Sequence, residues 1–438
     1  MPNIYQGTLA RLQFKQESSY GTDMTSTIAS NWDDIPAIFD TLAGVRNEEI
    51  VEPAHLKQRL DQRDIGVPMP KDATFSYKTN IEVPTARAGN GVAAAPHWLG
   101  RKLQCGLGGS HFSTGTTVTS GATTTVVPLT SASTFRAGCG IAFATGTGGA
   151  IEIRVIKSIS GNTVTLKMAL SSAPANGSVA YGTATYYPHN NPAGADPTYA
   201  QFALWGYNPK DRWVFPGGAF NGLGFEGLEP KGIPRLLWDW QHPIWGPGDG
   251  TYCSANMRTA TFDRVAYVDT NLFTVRGADY RLRDLTSSAL PSLLNAPKVD
   301  IIPNTLEYEA LMTPSGGSGL CALSNCFGYR RIDPDPQKGA VTVNLDVHWE
   351  NDTVLDDYHA NRTALGFTDQ VGSSPTLGCW MIEVPRLQMK KPPAETKLGN
   401  MRGKSLVLDS LHDTEAVSAG ASANDNALAE ASWRLIMM

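Results

Sequence analysis

Gly222, Gly224 and Gly227 spell GxGxxG, a glycine spacing that lets a backbone wrap a pyrophosphate. That chemistry needs a helix to start directly after the glycines, because the ligand sits on the unpaired N–H groups of the first turn. Pro230 and Pro234 forbid that helix. The glycines are therefore expected to serve a strand, letting it bulge or approach a neighbouring backbone. Gly399, Gly403, Lys404 and Ser405 resemble a phosphate-binding loop. Only three residues separate those glycines where the motif has four, and the following SLVLDSL reads as a strand.

Metal and nucleophile chemistry find no better footing. Cys321 and Cys326 have four residues between them, no second pair at zinc spacing and no histidine near, so they read as core or loop thiols. His348 falls on the wet side of a strand and His359 on a helix surface, and no carboxylate pattern joins them. Asp33 and Asp34, Glu48 and Glu49, and Asp356 and Asp357 are sequence neighbours, which rarely converge on one substrate atom, so solvated acids are expected. GxSxG, HExxH and a protease cysteine signature are all missing. Trp238 and Trp240 could form a sugar-stacking platform, but they share one face of a hairpin, where burial is the expected role. The chain reads as a non-enzyme with no catalytic residue, no metal site and no cofactor.

Composition bounds the elements that must position these residues. A chain of 438 residues can bury a sizeable core and hold two or three domains. With 43 glycines and 28 prolines it suits many turns between short strands. A net charge of -5 argues against a general nucleic-acid binder, which needs a basic excess to neutralise phosphates. Six scattered cysteines in so large a chain signal no disulfide framework. The first residues lack the charged-then-apolar pattern of a leader, and no run is long enough to span a bilayer. A soluble product made in a cytoplasm, with no membrane segment, is expected.

The pattern is mostly that of strands. Residues 219–228 and 233–241 flank a turn and should form a hairpin with one strongly apolar face. Residues 72–83 alternate Phe75, Tyr77, Thr79, Ile81 and Val83 against Ser76, Lys78, Asn80 and Glu82. The stretch 97–107 has helical spacing. Residues 33–44 could hold one or two helical turns, 46–70 is charged without a period, and 279–297 reads as irregular. Between 111 and 188 the composition shifts to Thr, Ser, Gly, Ala and Val, with strand-like runs at 123–129, 140–144, 151–159, 163–170 and 179–186. This reads as a small all-β module inserted into a parent domain made of 1–110 and 189–438.

The clearest strand is Val341–Trp349. Val341, Val343, Leu345, Val347 and Trp349 face one way, and Thr342, Asn344, Asp346 and His348 the other. A helix should follow, capped by Asp352 or Thr353, with Leu355, Tyr358 and Arg362 at helical spacing and Gly366 at its end. Residues 379–384 and 406–408 read as later strands, and the apolar run 433–437 as a strand that closes a sheet.

Four segments carry a family likeness: FKQESSYGTD, GGAFNGLGFEGLEPKGIPRLLWDWQ, VTVNLDVHWENDTVLDDYHANRTALG and CWMIEVPRLQM. In order and pattern they resemble the tail tube, or major tail, proteins of long-tailed bacteriophages. The inserted module, with TFRAGCGIAFATG, RVIKSISGNTVTLKMAL and APANGSVAYG, is similar to small β modules that recur in tail proteins. The resemblance implies a mainly β fold, a tail-tube-like β-sandwich or barrel domain with a flanking helix, with the inserted module on the exterior. It implies subunits that self-assemble into stacked, hexameric rings whose lumen conducts DNA during ejection. The partners would be further copies of the chain, with tape measure, tail terminator and tail-tip proteins, and DNA in transient, non-specific passage. The location would be the virion tail, after synthesis in the host cytoplasm.

On that reading Thr342, Asn344, Asp346 and His348 are lumen candidates. Val341, Val343, Leu345, Val347 and Trp349 form the buried side of the barrel wall. Arg46, Glu48, Glu49, Arg59 and Arg63 belong to an arm that contacts the next ring. The alternatives are a β-rich protein that binds or cleaves polysaccharide, and another virion component of the tail tip or head surface.

Overall fold

A computed structural model describes residues 11–16, 33–47, 50–51, 67–68, 72–84, 98–145, 147–189, 200–205, 212–227, 233–242, 246–247, 270–272, 279–285, 292–293, 299–309, 312–315, 331–334, 341–349, 352–374, 378–398, 401–417 and 423–438. The protein is mainly β, with several antiparallel sheets and a half-barrel. The largest sheet can be followed strand to strand. Ala37–Asn47 pairs with Asp72–Asn80, then Arg235–His242, Arg212–Glu226, Val299–Glu309, Val341–Trp349, Met401–Leu411 and Gly378–Met389, every pairing antiparallel. Gly378–Met389 then pairs with Leu365–Ser374 along one edge and with the C-terminal strand Arg434–Met437 along the other.

The expected hairpin forms within this ladder, and its first strand is used twice. Arg212–Glu226 is 15 residues long. Its first half pairs with Ala200–Trp205, beyond which lie Arg11–Gln16 and Asp33–Ile35, while its second half pairs with Arg235–His242. The alternation of the hairpin puts Leu223, Phe225, Leu236, Trp238 and Trp240 in the core. Around them Phe202 and Phe220 each lie edge-on to Trp240, ring centroids 5.1 Å apart. Edge-to-face contact brings the positive edge of one ring to the negative face of the next. Trp238 and Trp240 are fully buried, which removes them as a sugar platform.

Helix Trp98–Leu107 forms where the spacing predicts it and covers this core. Leu99, Leu103 and Leu107 recur every four residues and are buried. Lys102 is buried with them because its ammonium lies 3.9 Å from the Trp238 ring centroid and 4.6 Å from that of Tyr77. The electron-rich faces of two rings take over part of the role of water, an attraction of roughly 2 kcal/mol in a dry site.

Within 111–188 the structure builds a separate six-stranded sheet. A bridge between Val118 and Leu129 joins its two end strands, so the strand order closes on itself and leaves little open edge. Val118, Val127, Phe135, Ile141, Phe143, Ile156, Val164 and Leu166 fill the interior. The predicted Ser160-Gly161-Asn162 turn joins Glu152–Ser160 to Thr163–Leu166, with Gly161 at φ 57. The two stems of this module, Gly108–Phe112 and Ala184–Pro188, pair with each other and belong to the large sheet.

Four expectations are corrected. Residues 33–44 hold no helix: Asp33–Ile35 and Ala37–Asn47 are strands, because pairing with Arg11–Gln16 and Asp72–Asn80 outweighs the local helical preference. Arg46 consequently sits in a strand, opposite Ala73, rather than in an irregular arm. The stretch 279–297 contains strand Asp279–Asp284, held along Leu365–Ser374, and the short strand Ser292–Leu293. The helix after Trp349 spans Asp352–Ala360 and ends before Gly366. Arg362, at φ 52, takes the left-handed turn, with N–H groups of Arg362 and Thr363 donating to the carbonyls of His359 and Tyr358.

Candidate functional site

The polar residues singled out in the sequence meet on the hydrated face of the large sheet. Strand register sets one row across seven strands: Lys78, Leu237, Gly224, Glu307, Thr342, Asp409 and Gln388 stand opposite one another in turn. A second row runs Ser76, Asp239, Gly222, Glu309. Thr342, Asn344 and Asp346 are half-buried on this side, and Val341, Val343 and Leu345 are buried on the other. The strand Val341–Trp349 has the bounds expected, with Val347, His348 and Trp349 inside it; their side chains lie outside the described residues. Of the proposed arm, Glu48, Glu49, Arg59 and Arg63 also lie outside them.

Charge on this face is arranged in pairs. The Lys78 ammonium donates to Glu226 at 2.7 Å, and Arg235 lies 4.0 Å from the other oxygen of the same carboxylate. Lys390 lies 3.2 Å from Asp409, whose second oxygen accepts the Thr342 hydroxyl at 3.0 Å. With Asp239, Asp346 and Arg386 added, the described side chains across the seven strands of the face carry four carboxylates and four cations, three of the cations beside a carboxylate. Such a surface gives a phosphate little to hold.

Of the GxGxxG glycines, Gly222 and Gly224 lie within this face and serve the strand, and Gly227 follows directly after the strand's end. The register shifts between Phe220 and Gly222, a bulge. At Gly224 the Leu237 side chain folds across the bare backbone, its Cβ 3.3 Å from where a Cβ on the glycine would stand. Gly227, at φ 69, turns the chain so closely over the Ile233 carbonyl that no side chain fits.

A second polar cluster, unforeseen from the sequence, joins the module to the large sheet. Arg434 donates to Glu383 at 2.6 Å, to Asp413 at 2.7 Å and to the carbonyls of Leu428 and Ala429 at 2.8 and 3.0 Å. Lys167, from the module, donates to Glu383 at 3.2 Å and to the Asp413 oxygen that also receives Arg434. All four side chains are sealed from water. Burial alone would raise the Asp413 carboxyl, but Arg434 and Lys167 pull it well below the usual carboxylate range. Burial also works against the Arg434 charge, and Glu383 with Asp413 more than offsets it, so its pKa is raised. Lys167 is lowered by burial, which Glu383 and Asp413 only partly offset. The signal available in the sequence was Glu383 within CWMIEVP: a carboxylate amid core residues needs a buried cation.

Beside this joint is a polar crevice of about 480 Å³, lined by Ser110, His111, Arg136, Tyr187, His189 and Asp425 among others. Its groups are occupied by the protein itself. Arg136 pairs with Asp425 at 3.3 Å and donates to the carbonyls of Ser133 and Phe135. His111 is hydrogen-bonded to the Thr134 carbonyl at 2.9 Å, and burial lowers its pKa. Among the described residues there is no group of three potential metal ligands and no helix long and apolar enough to cross a membrane. No protein-family model matches the chain, and no curated protein matches it.

Proposed function

We propose that the chain is a structural, non-enzymatic subunit of a bacteriophage tail tube, self-assembling into stacked rings, hexameric by the resemblance, through which DNA passes during ejection. The observation that carries this reading is the seven-strand row. A broad sheet with a dry reverse and a hydrated, charge-balanced obverse is suited to wall a water-filled channel. Passage of DNA requires that the wall not trap phosphates, and a face whose cations are matched in number by carboxylates favours that. Thr342, Asn344 and Asp346 would then face the lumen, and the module would stand on the outside. Further copies of the chain, the tape measure, the tail terminator and the tail tip are the partners the resemblance implies, and the virion tail is the location.

Electron microscopy of the purified full-length protein across a concentration series, with light scattering for mass, tests the reading. Hollow rings or tubes are expected. A monomer at every concentration that also fails to add onto isolated tail tips would overturn it.

A further inference from the structure

We propose that the C-terminal strand Arg434–Met437 is a clasp: its insertion and the docking of the inserted module onto the large sheet are one event, locked by the buried Lys167, Glu383, Asp413 and Arg434 quartet. Three independent observations converge on this strand.

The first is topological. Among the described pairings, the module stems Gly108–Phe112 and Ala184–Pro188 join the rest of the large sheet through Arg434–Met437, which lies between Ala184–Pro188 and Gly378–Met389. The stems precede the clasp by about 250 residues or more along the chain, so closing it carries the entropy cost of a long loop.

The second is electrostatic. Glu383 stands opposite Arg434 in the ladder, so the arginine reaches the quartet only when the strand is in register. Two cations and two carboxylates close the charge. Without Lys167 the quartet keeps a surplus negative charge in a dry site, and without Arg434 it does the same.

The third is packing. Ile436 and Met438 share one buried cluster with Ala142, Ile151, Ile153 and Val155 of the module, and with Cys379 and Met381 of the neighbouring strand. The Gln370 side chain stitches the same seam, accepting from Ile153 N–H at 2.9 Å and donating to the Ile151 carbonyl at 2.7 Å. The module is thus fixed in attitude to the hydrated face rather than hinged from its stems. The inference does not depend on the tube reading.

Hydrogen–deuterium exchange on the full-length chain tests the clasp. In Lys167→Met, protection of residues 434–437 and 184–188 should fall on the order of a hundredfold or more, although the changed residue lies in neither strand. Residues 235–242 should keep theirs. Lys167→Arg should hold protection within about tenfold, and the charge-closed double variant Lys167→Met with Glu383→Gln should recover most of the loss. Loss confined to residues 163–166 would overturn the proposal, because docking would then be independent of the strand. Loss that extends equally to residues 235–242 would also overturn it, because no separable clasp would exist.

Discussion

The hydrated face and the module joint are both built from acids and cations, yet they do opposite things with charge. On the face, Lys78, Arg235 and Lys390 keep contact with water and their carboxylate partners only neutralise them. At the joint, Lys167 and Arg434 are sealed, and each depends on two carboxylates for its solvation. The first arrangement leaves a surface that can meet a passing polyanion without holding it. The second converts a mispairing of strands into a buried, uncompensated charge, and so specifies one docked geometry. Solvent access, more than residue type, separates the two roles.

That comparison ranks the expected consequences of substitution. Val343→Asp would put a charge on the dry reverse of the face and should abolish folding, read as loss of a cooperative thermal transition. Arg434→Met should destabilise by about 3–5 kcal/mol in denaturant titration, since it leaves Glu383 and Asp413 with Lys167 alone. Gly138→Ala should cost less but measurably, because Gly138 sits at φ 86 with the Leu428 carbonyl 2.5 Å from where the new Cβ would stand. At the other extreme, Lys78→Ala on the face should change stability by at most about 1 kcal/mol, as exposed pairs do. A large effect there would mean that the face is not open to water.

Acid should sharpen the contrast in the same sense. The folded-state pKa of His111 is lowered, so the folded protein resists its protonation and loses stability as pH falls through the ordinary imidazole range near 6.5. Arg136 faces it with a like charge and Asp425 with the opposite one. Asp413, also lowered, contributes stability that is intact above the ordinary carboxylate pKa near 3.8 and is lost as pH falls toward its folded value. Denaturant midpoints measured across pH 3–8 should therefore fall toward acid in wild type, and Asp413→Asn should flatten the lower limb.

Much of the sheet was legible because its strands alternate: Val341–Trp349 and the 212–242 hairpin carry the period of two that half-buried strands require. Helix Trp98–Leu107 was legible from the helical spacing of Trp98, Lys102 and Cys105. The strand Ala37–Asn47 was not, since its register along Asp72–Asn80 breaks between Ile38 and Ala43 and spoils any period. The polar face of Val341–Trp349 could be read from one strand, but its extension across seven strands could not, because pairing between residues as distant as Lys78 and Leu237 leaves no local trace. The joint was least legible. Lys167, Glu383, Asp413 and Arg434 are far apart in the chain, and only the closed sheet brings them together.

The central claim is that the hydrated face lines an enclosed channel in the assembled particle. Thr342→Cys, within the seven-strand row, tests it by thiol labelling measured against the parent protein's background. In dissociated subunits a small maleimide and a maleimide carried on a large protein should both react. In assembled particles only the small reagent should reach residue 342, and equal labelling by both would contradict the account.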